Sequence, residues 1–271
     1  MNYLQIEFEI ENAVENEILI ALLSNAGFES FEETDGSLKA FIKEEGFTEN
    51  SLEDILKIVP VNYAITIVPQ QNWNAKWESS FEPIIVHDFV GIRAAFHQPI
   101  KNVQHEIIIT PKMSFGTGHH ATTYMMIEQM EGLDLTDKTV VDYGTGTAVL
   151  AILAEKMGAR TIDAIDYDEW SIENSIENTA ANSCSRINLV KADTIATNTL
   201  YDIILANINL NVIIENLPAI KNVSKKGTLI LLSGFIKTDE AVMISSLKAY
   251  GIDQLKTVQK GEWICILAHI N

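Results

Sequence analysis

Residues 138 to 168 admit few folds. Thr139-Val140-Val141-Asp142-Tyr143 is a short apolar run rich in β-branched residues, cut by Gly144-Thr145-Gly146 and followed by Val149 to Met157, good helix formers that stop at Gly158. Thr161-Ile162-Asp163-Ala164-Ile165 predicts a second strand, which Asp166 closes. Strand, tight turn, helix and strand make one βαβ half of a doubly wound sheet, whose ligands sit beyond the carboxyl ends of the strands.

Glycine spacing and the placement of acids narrow the ligand. Gly144 and Gly146 let the backbone turn sharply and approach a ligand, and Asp166, 22 residues after Gly144, is placed to accept both hydroxyls of a ribose. A nucleoside is the expected ligand. A dinucleotide fingerprint needs a third glycine where Val149 stands, so that pattern fails. Asp142, two residues ahead of Gly144, instead gives the order acid, spacer, Gly, x, Gly, which resembles the first motif of S-adenosylmethionine-dependent methyltransferases. A carboxylate suits a ligand that carries a sulfonium where a dinucleotide carries pyrophosphate. Asp193, ending a predicted third strand at Leu189 to Asp193, is placed to take the adenine's exocyclic amine.

Composition bounds the rest. The 271 residues suffice for two modest domains, and 47% hydrophobic content supports a core. Two cysteines, Cys184 and Cys265, suggest neither a disulfide framework nor a zinc site and fit a reducing cytoplasm. The start lacks a signal-peptide pattern and no apolar run reaches the span of a bilayer, so a soluble cytoplasmic protein without membrane attachment is expected. Residues 1 to 60 hold 14 Asp and Glu against 3 Lys, so −11 of the net −18 lies there. A surface of that sign repels nucleic acid and attracts a basic partner.

The first block predicts strand Leu4 to Ile10 by strict period two, helix Asn16 to Asn25, a hairpin of Phe28 to Glu33 and Leu38 to Ile42 around Asp35-Gly36, helix Ser51 to Val59 capped by Ser51, and strand Tyr63 to Val68. The order βαββαβ is the ferredoxin-like split motif. It lacks the aromatic and basic strand face of RNA-binding copies, so it predicts protein docking.

Trp73, Trp77 and Phe81, spaced by four, predict a linker helix over 70–82 that Pro83 ends. Strands are expected over 84–95 and 106–110, and a helix over 124–130. Between them lies a loop of glycines and small hydroxyls with His119-His120; adjacent histidines cannot easily face one ion, and no metal is expected. Helix Glu169 to Asn182, capped by Ser171, follows the glycine unit. Strand Tyr201 to Ala206 then ends in Asn207, the position where a doubly wound sheet carries binding or catalytic groups. Strand 228–233, helix 239–250 and strand 263–268 complete the reading.

Several stretches, in order, resemble the ribosomal protein L-eleven (L11) methyltransferase family of PrmA type. Phe115-Gly116-Thr117-Gly118-His119-His120-Ala121-Thr122-Thr123 resembles that family's F-G-T-G-T-H-P-T-T, and Val141 to Ile152 resembles I-D-F-G-C-G-S-G-I-L-A-I. Ala164 to Asp168, Leu205 to Ile208 and Leu232 to Ile236 are similar to G-I-D-I-D, V-A-N-I and L-S-G-I-L, while Trp73, Trp77 and Glu262-Trp263 fall where the family has D-W-x-x-x-W and E-W. Ala148 replaces a family glycine, and His119 and Ala121 alter the loop.

The resemblance implies residues 1–69 as a ferredoxin-like substrate-recognition domain, 70–82 as a linker helix and 83–271 as a Rossmann-like methyltransferase domain. It implies Thr123, Gly144, Asp166 and Asn207 as contacts to S-adenosylmethionine, joined by Asp142, Gly146 and Asp193 from the residue reading, with S-adenosylhomocysteine as product. The implied reaction methylates lysine ε-amines and the N-terminal α-amine of large-subunit ribosomal protein L11, free or on the ribosome. From its place at the strand end, Asn207 is further expected to accept amine hydrogens and aim the lone pair. No direct nucleic-acid specificity is expected, and a monomer is the default. The rivals are another protein or small-amine target, or a nucleoside-binding scaffold without catalysis.

Overall fold

The computed structural model describes residues 3–10, 12–34, 36–68, 81–112 and 115–271. The chain divides into two compact units, Met1–Ser80 and Phe81–Asn271. The predicted linker helix over 70–82 lies, apart from its last two residues, outside the described residues.

In the first unit, β1 (Tyr3–Glu9), α1 (Ala13–Asn25), β2 (Ser30–Thr34), β3 (Ser37–Lys43), α2 (Glu49–Ile58) and β4 (Tyr63–Val68) follow the expected order. Their antiparallel sheet runs β2-β3-β1-β4, the ferredoxin-like arrangement. Period two decides its core: Leu4, Ile6 and Phe8 pair with Ile42, Ala40 and Leu38, all buried. Leu19 and Leu23 of α1 and Leu52 and Ile55 of α2 close over them. Burying Ile6 or Phe8 alone contributes about 1.5–3 kcal/mol. The helix α2 starts at Glu49, two residues before the predicted cap. Thr48, with extended backbone, stands at the N-cap, and Ser51 lies inside with its hydroxyl 2.6 Å from that of Thr48.

The second unit opens with a three-stranded sheet, β5 (Ile84–Val86), β6 (Val90–Ala94) and β7 (His105–Ile109). The single strand expected over 84–95 is a hairpin, because His87 takes a left-handed φ of 51° and turns the chain. There follow α3 (Ala121–Met130), β8 (Thr139–Tyr143), α4 (Val149–Lys156), β9 (Thr161–Asp166), α5 (Glu169–Ala181), β10 (Ile187–Lys191), β11 (Tyr201–Asn207), α6 (Leu210–Asn222), β12 (Ser224–Ile236), α7 (Glu240–Ala249), β13 (Ile252–Lys260) and β14 (Trp263–Ile270).

These build a seven-stranded sheet in the order β10-β9-β8-β11-β12-β14-β13, parallel except that β14 runs antiparallel to both neighbours. Both faces are covered, which is why its central strands read as continuous apolar runs. Val140, Ile203 and Leu205 face a layer containing Met126 of α3 and Ile152 of α4. Val141, Ile204 and Ala206 face Ile213 and Leu217 of α6 and Met243 of α7.

The chain winds outward from β8 through β9 to β10, then returns to place β11 on β8's other side. The carboxyl ends of β8 and β11 therefore flank the topological switch point, where such sheets bind ligands. Two elements went unread in the sequence. Helix α6 carries Pro218 inside it, a residue that usually ends helices. Strand β13 is an edge strand with little burial beyond Ile252, so its residues show no clean alternation.

Candidate active site

Three strand ends and one loop build the site. Gly144 (φ 75°) and Gly146 (φ 56°) turn the chain away from β8 in conformations that side chains rarely adopt. Space matters as much as torsion: a Cβ on Gly144 would collide with Cγ2 of Ile208, and one on Gly146 with the carbonyl oxygen of Phe115. The amides of Gly144 and Thr145 both donate to the carbonyl of Ile165, at 2.8 and 2.9 Å, tying the turn to β9. At the position of a family glycine, Ala148 holds φ 62° and ψ 19°, a left-handed residue at the start of α4. For a residue with a side chain that conformation costs about 1–2 kcal/mol.

Asp142 lies beneath this turn. It is 1% exposed; its Oδ2 accepts the Thr145 hydroxyl at 2.7 Å and the Ala151 amide at 3.2 Å, while Oδ1 has no partner among the described residues. Burial outweighs those two bonds and pushes its carboxyl up to about 7. Asp166 ends β9 with one oxygen accepting the amide of Gly146 at 2.9 Å and the other the amide of Asp168 at 3.0 Å. Each oxygen keeps a further lone pair.

The face of α5 fastens the turn from below. Ser175 donates to the carbonyl of Gly146 at 2.8 Å, and Asn178 to that of Thr147 at 2.9 Å. Asn174, Asn178 and Asn182, spaced by four and hence on one helix face, also bond the backbone of Ile108 and Thr110 at the end of β7. That spacing was the available signal in the sequence. The expected cap of this helix is corrected: Asp168 caps it, its Oδ2 accepting the amide of Ser171 at 3.2 Å.

The loop before α3 lies over the turn. Thr147 donates its amide to Phe115 O at 3.0 Å and its hydroxyl to Gly116 O at 2.7 Å. His119 packs on Phe81, ring centroids 4.7 Å apart, whereas His120 packs on Trp263 at 4.6 Å and Phe115 at 5.2 Å. The two histidines thus have different ring partners. His120 caps α3 by accepting the amide of Thr122 at Nδ1, which leaves the ring proton of the neutral form on Nε2. Among the described residues no group of three or more His, Cys, Asp or Glu is placed to hold a metal ion.

These parts border a cavity of about 770 Å³. Of the predicted site residues, Gly144, Gly146, Asp166, Asp193 and Asn207 line it. Asp193 lies two residues past the end of β10, which stops at Lys191, so it stands in the following turn rather than ending the strand. Its carbonyl accepts the Tyr143 hydroxyl at 2.6 Å. Thr123 and Asp142 are not on the cavity wall; both are buried behind residues that are. Phe115, His120, Thr122, Tyr143 and Trp263 join the lining without having been singled out as site residues.

At the end of β11, Asn207 donates its Nδ2 to the Thr123 hydroxyl at 3.2 Å, and its buried Oδ1 has no partner among the described residues. An orphaned amide oxygen costs free energy unless a ligand donates to it. Together with a glycine turn that a Cβ would fill and a carboxylate with spare lone pairs, it suits an adenosyl amino acid.

Comparison with known proteins decides the family. The family model described as Ribosomal protein L11 methyltransferase (PrmA) matches residues 4–270. The chain belongs to this family. Proteins described as ribosomal protein L11 methyltransferases of Phocaeicola vulgatus and Chlorobaculum tepidum are 34% and 39% identical to it over 98% of its length, and 98% and 96% of those proteins are covered. The crystal structure of ribosomal protein L11 methylase from Lactobacillus delbrueckii subsp. bulgaricus superposes with a TM-score of 0.66 at 25% identity, over 70% of this chain and 100% of that one. A methyltransferase from Pyrococcus furiosus, 18% identical with a TM-score of 0.52, shares the fold. The PrmA family is one of S-adenosylmethionine-dependent methyltransferases, and the cavity residues fit that cofactor.

Proposed function

We propose that this chain methylates ribosomal protein L11 on lysine ε-amines and on the N-terminal α-amine. Membership of the PrmA family supports the target, and the observation that carries the chemistry is the buried Oδ1 of Asn207 at the switch point, which has no partner among the described residues. When bound, S-adenosylmethionine supplies a methyl group on a sulfonium. The remaining tasks fall to this chain.

Asp166 accepts the ribose hydroxyls on the lone pairs its backbone partners leave free. Asp193 takes the exocyclic amine of adenine, while Gly144 and Gly146 give the ligand room. Asp142 acts from behind, shaping the turn through Thr145 and Ala151. Asn207 Oδ1 accepts a hydrogen of the target amine and so aims its lone pair; holding partners in line at near-attack distance supplies most of the rate. Lysine must arrive neutral although its reference pKa is about 10.4. A desolvated cavity beside a cationic sulfonium lowers that value.

The acidic first unit presents the partner. Its −11 over residues 1 to 60 complements the basic surface of a ribosomal protein, and residues 1–69 serve as recognition domain, joined through 70–82 to the methyltransferase domain at 83–271. Among the described residues no helix is long and apolar enough to cross a membrane, and a cytoplasmic monomer acting on L11 free or on the ribosome suits this reading.

The test uses labelled cofactor with ribosomes that lack the modification. Label on L11 amines supports the proposal; label elsewhere moves the target, and bound but untransferred cofactor makes the chain a scaffold. Affinity for free L11 should fall steeply with salt, and a flat dependence would remove the electrostatic part.

A further inference from the structure

The Leu232-Ser233-Gly234 motif has no role in the chemistry so far, and its geometry is unusual. Gly234 sits where β12 slips against β14: Ser233 pairs with Cys265, and Phe235 with the adjacent Ile264. This is a β-bulge with a glycine at φ 102°. A Cβ built there would overlap the carbonyl oxygen of Ile208 and lie 2.6 Å from its carbonyl carbon and 2.8 Å from its nitrogen. All three are backbone atoms, which cannot swing aside as the end of a side chain can.

Ile208 directly follows Asn207. Its amide donates to the carbonyl of Ser233 at 3.1 Å, and the Ser233 hydroxyl anchors the bulge by donating to Ile264 O at 2.7 Å. On its other side, Cγ2 of Ile208 fills the space that a Cβ on Gly144 would occupy. Ile208 is therefore held between the glycine turn after β8 and the glycine bulge of β12, and both glycines border the cavity.

We infer that Gly234 is a positioning residue for methyl transfer: by lacking a side chain, it sets where the Asn207–Ile208 segment holds the target amine relative to the methyl donor. The inference rests on the methyltransferase reading above. The nearest atoms to the added Cβ all belong to Ile208, and none to the residues assigned to ribose or adenine. Displacing the segment by about 1 Å costs on the order of a hundredfold in rate, because attack geometry is lost before binding is.

The test compares Gly234→Ala and Ser233→Ala with the wild-type chain in three measurements: turnover on L11, calorimetric affinity for S-adenosylmethionine, and hydrogen exchange of the Ile208 amide. Gly234→Ala should lose about a hundredfold in kcat with cofactor Kd within about threefold, and Ile208 should exchange at least about tenfold faster while Gly146 does not. Ser233→Ala, which inserts nothing, should lose about three- to tenfold in kcat with unchanged Kd and faster Ile208 exchange. Wild-type turnover, or a loss confined to cofactor Kd, overturns the inference. Should Gly234→Ala fail to fold, unchanged kcat or unchanged Ile208 exchange in Ser233→Ala overturns it. Exchange at Ile208 is read without any transfer, so absence of methylation by the wild-type chain sinks the functional reading separately.

Discussion

The side-chain amide of Asn207 donates to the hydroxyl of Thr123, 3.2 Å away and 84 residues earlier in the chain. Family resemblance implies both as contacts to the cofactor. In the fold Thr123 is fully buried on α3, behind Asn207 and off the cavity wall. The bond occupies the nitrogen end of the amide and leaves the buried oxygen without a partner among the described residues.

Substituting Asn207 by Ala should lower kcat by about a hundredfold while the Kd of S-adenosylmethionine changes by less than about threefold. Thr123→Val, which removes the group that orients the amide, should cost about tenfold in kcat, and Thr123→Ser should restore most of it. Steady-state kinetics with calorimetry checks both. Equal losses in kcat and affinity would make Asn207 a cofactor ligand only.

Asp166→Asn should act on the other term. An amide can accept at one position only, so one of the bonds from Gly146 and Asp168 is lost and the turn loosens together with the ribose contact. A loss of about 2 kcal/mol, roughly thirtyfold in cofactor Kd, is expected. Titration calorimetry decides it, and a Kd equal to wild type would remove Asp166 from the binding role.

Asp142 predicts a pH dependence of stability. Its carboxyl rises from the ordinary value near 3.8 to about 7 through burial. The folded chain then holds that proton more tightly than the unfolded chain, so this stabilisation is fully present below pH 4 and is lost as pH rises through about 7. Asp142→Asn cannot ionise, and its melting temperature should improve relative to wild type between pH 5 and pH 8. Parallel Tm profiles across that range would show that Asp142 is already ionised at pH 5.

Asn178→Ala strips partners from two backbone groups at once, the half-buried amide of Thr110 and the buried carbonyl of Thr147. The cost should be about 3 kcal/mol, lowering Tm by roughly 6–12 °C. Cofactor affinity should weaken as well, since the carbonyl of Thr147 belongs to the glycine turn. Thermal unfolding and calorimetry measure the two effects; an unchanged Tm would mean that the seam between α5 and β7 is held by packing alone.

The unit from β8 to β9 was legible in the sequence because everything that specifies it is local. Apolar β-branched residues, two glycines needing positive φ, a run of helix formers and a terminal acid succeed one another within one βαβ stretch. The ferredoxin-like unit was legible for the same reason, its strands marked by period two and its hairpin by Asp35-Gly36. Where two residues suited one role, local chemistry did not choose: Asp168 and Ser171 both suit a helix cap, and the fold uses Asp168. Pro218 hid α6, and the exposure of β13 hid its alternation.

What the sequence determined by itself was therefore the identity of the elements and the residues at the tips of β8, β9 and β11, since turn chemistry and periodicity act over a few residues. Only the tertiary structure decided which groups meet: Thr123 with Asn207, Asn178 with Thr110 and Thr147, and Gly234 with Ile208. Those pairings depend on the order in which strands enter the sheet and on how closely backbones pack across it. No local pattern encodes that distance, and a single methyl group at Gly234 suffices to disturb it.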